Sequence, residues 1–397
     1  MMKRLLASTT ALVLVTSAAY AQTTTSTTSQ TVQDILGFLV TNQGVQTSDF
    51  DRDRAAAEAT RATLTRALLA NIATVPIGTS SGGFTYRFNP AIGTAERASD
   101  TFGPFYVERA LTAGAGTASF GFTFQYAAFQ KLDGYDLRSG SLVTVANQFV
   151  DEAAPFDVEK LTLNISTKTA TFFTNIGITD RIDIGAAVPV VRLDISGTRL
   201  NTYRGRTALQ ASAVADTVGL GDIAVRSKVR LTPSGPGAIA AGVEARLPTG
   251  RQEDLLGAGD FAIQFLGLAS YESGPTSVYG NVGVGTGGIG SDISYSGAAA
   301  FAATSRLTLV GEFLGRRITG LQRITPIVAP HPRVAGVNTT RLVPTGDDQR
   351  SAFGVAGFKW NVGGTWLLHA NVLVPLTDSG LTTTVTPTVA FNYSFAR

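Results

Sequence analysis

Asp222, Arg226, Lys228 and Arg230 fall at even positions of one short stretch, and Glu244 and Arg246 follow beyond the turn Pro233-Ser234-Gly235-Pro236. Successive strand side chains point to opposite faces, so this spacing puts the whole set on one face of a hairpin. One register sets Arg226 opposite Glu244 and the next sets Asp222 opposite Arg246; either gives an ion pair. Glu312 and Arg316 carry the same mixture of signs further along the chain. Inside a pore such a cluster either braces the lumen as a salt-bridge network or forms a charge band that selects permeants. Catalytic chemistry is not indicated. Gly78-Thr79-Ser80-Ser81-Gly82 has the spacing of a nucleophile elbow, yet it follows a helical stretch rather than a strand and lacks a His partner. Gly283, Gly285 and Gly288 have dinucleotide-fingerprint spacing, but no helix opens after them. His331 and His369 lie on a long loop and a strand with no carboxylate at ligand spacing. No catalytic residue, metal ligand or cofactor is therefore expected, and the chain is not expected to be an enzyme.

The elements that would carry the cluster are short alternating strands. Ile223, Val225, Val229 and Leu231 oppose the charged row. Ile239, Ala241, Val243, Ala245 and Leu247 alternate with Gly242, Glu244 and Arg246, and Phe261, Ile263 and Phe265 repeat the period. Phe120, Phe122, Phe124 and Tyr126 alternate with Ser119, Gly121, Thr123 and Gln125. Twelve strands are expected, starting at 117 and then near 158–176, 182–196, 219–232, 237–248, 260–272, 277–288, 292–302, 306–319, 350–362, 366–377 and 381–396. The connections at 132–157, 197–218 and 320–349 read as long, and those at 177–181, 233–236, 273–276 and 363–365 as short. Short turns on one rim, longer loops on the other and an even strand count describe a transmembrane antiparallel up-and-down β-barrel with both termini in the periplasm.

Composition agrees. Charged residues make up 15% of the chain, below the roughly 25% of ordinary soluble domains, and there are 43 glycines. After the first residues no run of about 18 apolar residues remains to form a spanning helix. Lys3 and Arg4, the apolar run 11–15 and Ala19-Tyr20-Ala21 have the form of a secretory signal ending at 21. Without Lys3 and Arg4 the 32 basic residues fall to 30 against 29 acids, so nothing points to nucleic acid. There are no cysteines, hence no disulfide framework.

Residues 22–30 are almost all Thr, Ser and Gln and read as a linker. Val32, Ile35, Leu36 and Leu39 have helical spacing, and a second helix is expected over 51–73, capped by Ser48 or Asp49, with Leu64, Leu68 and Ile72 on one side. Phe84–Phe88 and Phe102–Leu111 read as short strands. Three segments result: a signal at 1–21, a linker with a helical plug or periplasmic cap at 22–115, and an outer-membrane barrel at 116–397. The last strand alternates Val385, Val389, Phe391, Tyr393 and Phe395 with Thr388, Asn392 and Ser394, resembling the aromatic signature read by the barrel-assembly machinery, although Ala396 and Arg397 follow the phenylalanine.

The stretches Gly219-Leu220-Gly221-Asp222-Ile223, Lys228 with Leu231, Leu247-Pro248-Thr249-Gly250 and Leu256-Gly257-Ala258-Gly259 occur in the order shown by an outer-membrane transporter-like barrel family linked to phenol degradation by the meta-cleavage pathway. The resemblance covers about 115–395 and leaves out the N-terminal helices. It implies a barrel that passes small hydrophobic or aromatic molecules. Gly and Pro weaken strand pairing, so Gly283, Gly285, Pro189 or Pro375 are places where the wall could open. The expected partners are outer-membrane lipid, a small-molecule permeant and the assembly machinery. The other reading is a non-transporting structural or partner-binding outer-membrane protein.

Overall fold

A computed structural model describes residues 22–25, 31–40, 58, 61–62, 64–70, 72, 78–79, 83, 86–89, 94–97 and 99–396, apart from 234, 332–333 and 347. The expected signal and the two expected helix caps lie outside the described residues. Twelve antiparallel positions close into a barrel: β1 (Thr117–Leu132), β2 (Asp157–Gly177), β3 (Ile182–Tyr203), β4 (Arg206–Leu220 continuing as Ile223–Arg230), β5 (Gly237–Leu247), β6 (Ala262–Ser273), β7 (Thr276–Gly287), β8 (Ser291–Thr304), β9 (Leu307–Thr319), β10 (Asp348–Gly363), β11 (Trp366–Pro375) and β12 (Thr386–Ala396). Phe391 pairs with Phe122 and Tyr393 with Phe120, so β12 closes the wall on β1. Closure leaves no edge for lipid to meet, which is what allows a sheet to span a bilayer. The chain is an outer-membrane barrel with long loops outside and short turns in the periplasm.

The lipid belt follows the alternation. Phe120, Phe122, Val225, Val389, Phe391 and Tyr393 are exposed on the outer face, while Ser119, Gln125, Thr388, Asn392 and Ser394 are buried inside. Val243 shares the outer row of β5 with exposed Ile239 and Leu247. An arginine at that depth costs about 2–4 kcal/mol, so Val243→Arg should strongly reduce the heat-modifiable folded band. Gly242→Ser, facing inward where a Cβ would sit 3.5 Å from the Ser227 carbonyl oxygen, should leave it intact.

Above the belt the two faces exchange character without breaking the two-residue period. On β2, Ile176 and Phe172 are exposed outward, but farther up it is the inward Ile165, Leu163 and Leu161 that are apolar and buried, and Lys168 and Asn164 that face out. On β3, Ile182 and Ile184 face out, then Arg192 and Asp194, while Leu193 and Ile195 are buried inside. Ala170 pairs with Val190 and Lys168 with Arg192, so both strands leave the hydrocarbon at one level. From Ile182 to Val190 is about 26 Å of strand at about 3.3 Å per residue, enough for the apolar band.

That projection corrects the expected loop at 197–218. β3 and β4 run on past the membrane and reverse at Arg204-Gly205, with Tyr203 paired to Arg206. The outer connections also contain strands. Leu142–Phe149 pairs with β2 and with Val337–Thr345, which forms a hairpin with Arg323–Pro330. Asp136 accepts the N–H groups of Ser139 and Arg138, both at 2.8 Å, which folds the preceding turn and holds its carboxyl below the ordinary range. The ladder continues through Gly283 and Gly285 on both sides and through Pro189 on the β2 side, so these positions do not interrupt it as expected. At the β11–β12 seam the pairing stops at Leu373, two residues short of Pro375.

Two further expectations are corrected. Residues 102–111 form no strand; they are extended, irregular and buried. Tyr86–Asn89 is a strand, paired with Thr94–Arg97. Gln22–Thr25, expected as part of a linker, is a short strand paired in parallel with Ala211–Val214 of β4.

Candidate functional site

Described segments of the N-terminal region pack against the inner face of the barrel in both halves. In the extracellular half, α1 (Val32–Val40) and α2 (helical over 64–70) bury Ile35, Leu36, Leu39, Leu64 and Leu68 against Leu163, Ile165, Leu193, Ile195 and Ala213. Helices this short are unstable alone in water and take their stability from such a surface. Thr31 and Asp34 cap α1 reciprocally, the Thr31 backbone N–H donating to the Asp34 carboxylate (3.1 Å) and the Asp34 N–H to Thr31 Oγ1 (3.2 Å). At the other end Arg199 donates to the Leu39 carbonyl at 3.1 Å.

In the periplasmic half, residues 101–115 cross the lumen as a strap. Its backbone has no strand partner, and buried N–H and C=O groups must be satisfied somewhere. The inward polar rows of the barrel supply the partners. The Glu312 carboxylate accepts the N–H groups of Phe105, Tyr106 (3.0 Å) and Val107 (3.2 Å). Lys359 donates to the carbonyls of Phe102 and Pro104, and Lys228 to those of Arg109 (2.9 Å) and Leu111 (3.0 Å). Thr308, Ser270 and Asp183 accept from Phe102, Ala110 and Ala113. The strap in turn sends Arg109 into a two-pronged pair with Glu272 (3.2 and 2.7 Å), both side chains almost wholly buried.

The sequence cluster divides among several jobs. Arg226 lies opposite Glu244 in register, the first of the two alternatives, and bonds it at 2.6 Å; Arg246 bonds the same carboxylate at 2.8 Å. Arg226 also reaches Glu108 and the Gly78 carbonyl of the N-terminal region. Lys228 and Glu312 seat the strap, and Arg316 pairs with Asp292 at 3.2 Å. Arg230 shares the inward row, and its backbone N–H donates to the Arg181 carbonyl at 2.8 Å. The strap-holding Lys359, Asp183 and Glu272 were not singled out from the sequence. His369, weighed there only as a metal ligand or triad member, is buried with its ring stacked 5.6 Å from that of Phe105.

Asp222 has a different task. β4 breaks at Gly221-Asp222, opposite Pro189, and the Gly221 N–H returns to the Pro189 carbonyl at 2.9 Å. The freed Asp222 carboxylate accepts the N–H groups of Gly250 (3.0 Å) and Ala258 (2.7 Å), while Thr249 Oγ1 donates to the Gly221 carbonyl at 2.8 Å. The separate glycine-rich stretches on which the family resemblance rests thus meet in one knot that folds the 248–261 loop inward. A Cβ on Gly250 or Gly257 would lie within 2.7 Å of the other's backbone. The loop then grips α1: Gln33 donates to the carbonyls of Glu253 (3.1 Å, backbone) and Gln252 (2.9 Å, side chain).

Between strap, helices and the β4–β10 wall lies a cavity of about 240 Å³. Leu266, Leu314, Ile318 and Phe353 give it an apolar side, and Arg226, Glu244, Arg246, Asp292 and Arg316 a side of paired charges.

No family model matches this sequence, and no curated protein matches it. Among solved structures, an outer membrane channel from Pseudomonas putida F1 is 11% identical, covering 72% of this chain and 98% of its own, with a TM-score of 0.48. The translocator domain of the autotransporter NalP from Neisseria meningitidis is also 11% identical, covering 71% and 89%, at 0.35. The toluene transporter TbuX of Ralstonia pickettii is 11% identical over 71% and 90%, at 0.29. Likenesses this distant say nothing of cargo; the fold stands on the closed strand pairing itself.

Proposed function

We propose that the protein is a plugged conduit of the outer membrane for small, largely apolar molecules, with residues 22–115 obstructing the lumen. The cavity supports this reading. Its apolar side offers a permeant burial, whereas the guanidinium groups of Arg226, Arg246 and Arg316 are each engaged with a carboxylate. An ion on this path meets attraction and repulsion in turn, and a neutral solute avoids both. The charge cluster in this reading braces the plug first and disfavours ions as a consequence. Outward-facing Phe391, Tyr393 and Phe395 are the proposed contact for the assembly machinery.

The test compares cells with and without the protein for uptake of a panel of neutral aromatic and aliphatic compounds, alongside planar-bilayer recordings of the purified barrel. Protein-dependent uptake with low ionic conductance is expected. Identical uptake across the whole panel would remove the conduit reading.

A further inference from the structure

We infer that residues 22–25, which follow the expected cleavage site, reach the cell surface through the lumen and are held there by strand addition to an open edge of β4. The edge exists because β4 is longer than its neighbour. β3 covers one side of Arg206–Leu220, but β5 pairs only with Ile223–Arg230 and stops at Leu247. It stops there because the chain turns inward into the loop knotted on Asp222. That leaves Arg206–Leu220, most of it above the membrane, with β3 as its one barrel neighbour among the described residues and its other side an edge. Such an edge is a template for another strand. Among the described residues only Gln22–Thr25 pair with it, in parallel, from Gln22 opposite Ala211 to Thr25 opposite Val214. The segment suits the place, since 22–30 is rich in β-branched Thr and has no proline.

The path of the chain reaches the same point. Thr117 enters β1 at the periplasmic rim, the strap before it is seated in the periplasmic half, and α2 and α1 lie in the extracellular half against Leu193, Ile195 and Ala213. The described segments thus lie progressively farther from the periplasmic rim toward the N-terminus, and the first turn of α1 is tied to the outer loop at 252–254. The occupant of the β4 edge is thus a segment of the same chain, delivered from below.

The test uses the full-length protein in intact cells. Thr25→Cys and Val214→Cys are introduced together into a chain that has no cysteine, and separately an epitope is inserted between Gln22 and Thr23. Oxidation should convert most of the folded double variant to a species cross-linked within one chain, absent from either single variant, and antibody should label the epitope without permeabilisation. Labelling only after permeabilisation, or no cross-link in protein that keeps its heat-modifiable folded mobility, would overturn the inference. Covalent dimers in place of the internal cross-link would also overturn it and assign the edge to a second copy.

Discussion

Glu312→Leu is expected to raise the ionic conductance of the reconstituted barrel several-fold, by about a factor of five or more, while the barrel itself stays closed. Glu312 is one carboxylate serving three consecutive strap N–H groups. Leucine leaves all three buried without a partner, and each buried unsatisfied group costs about 1–3 kcal/mol. The local penalty is therefore at least about 3 kcal/mol, comparable to a large part of a domain's stability. It falls on 105–107, because the ladders on both sides of β9 are made by backbone groups that the substitution does not touch. Glu312→Gln should lie between: its amide oxygen still accepts, but its NH2 group aims donors at donors. Planar-bilayer recording and protease access to the strap are the measurements. Unchanged conductance with an unchanged protection pattern would mean that Lys228, Lys359 and Arg109 hold the strap without Glu312. A further step in the same direction, removal of 22–115, should raise conductance beyond the point variant.

Within the hydrocarbon the fold was legible residue by residue, because there the outer face must be apolar and the inner rows are polar. Phe120 to Tyr126 on β1 and Val385 to Phe395 at the C-terminus show this directly. Above the membrane the same period continues with its meaning reversed, since water replaces lipid outside and the helices replace water inside. Leu161, Leu163 and Ile165, on a strand expected from the sequence, form part of the wall against which α1 and α2 pack. The residues 197–218 looked like a loop for a related reason: Asn201, Arg204, Arg206 and Asp216 are polar enough for one, yet a strand that stands in water on one side needs that polarity.

The strap was misread more deeply. Residues 102–111 have the apolar content of a strand, but a strand's backbone bonds go to another backbone, and these go to side chains on four barrel strands, β4, β6, β9 and β10. Local pattern holds no trace of that, because the partners lie up to 257 positions away. The charge cluster was legible as a set and as a choice of two registers, of which the barrel adopts the one with Arg226 opposite Glu244. Its division of labour was not, since Lys228 on plug carbonyls and Asp222 on loop N–H groups are relations to segments whose position only the closed barrel defines.

The knot on Asp222 gives the other large expected effect: Gly257→Ala should release the 248–261 loop and expose it to trypsin at Arg251 on intact cells. A Cβ on Gly257 would lie 2.3 Å from Asp222 Oδ1 and 2.7 Å from the Gly250 backbone. The carboxylate cannot swing aside without dropping the Gly250 or the Ala258 N–H, and the Gly250 backbone cannot retreat without leaving Asp222. Overpacking of this kind costs about 1–3 kcal/mol. Leu255 adds to it, being held at φ 60°, a conformation that persists only while its surroundings enforce it. Arg251 is the natural reporter because its side chain is two-thirds exposed and tied down through Asp254 at 2.6 Å, within the same loop. Where cleavage follows the open population, that cost raises the rate by about five- to 150-fold. Gly235→Ala is the matched control, since nothing lies within 4 Å of the added methyl group. Loosening the loop also removes the Glu253 and Asp254 contacts to the start of α1, so the variant should weaken the protection of the N-terminal region together with that of the loop. Equal cleavage of the Gly257 and Gly235 variants would mean that the loop is held in the lumen by Leu255 and Leu256 packing under the helices and not by the knot.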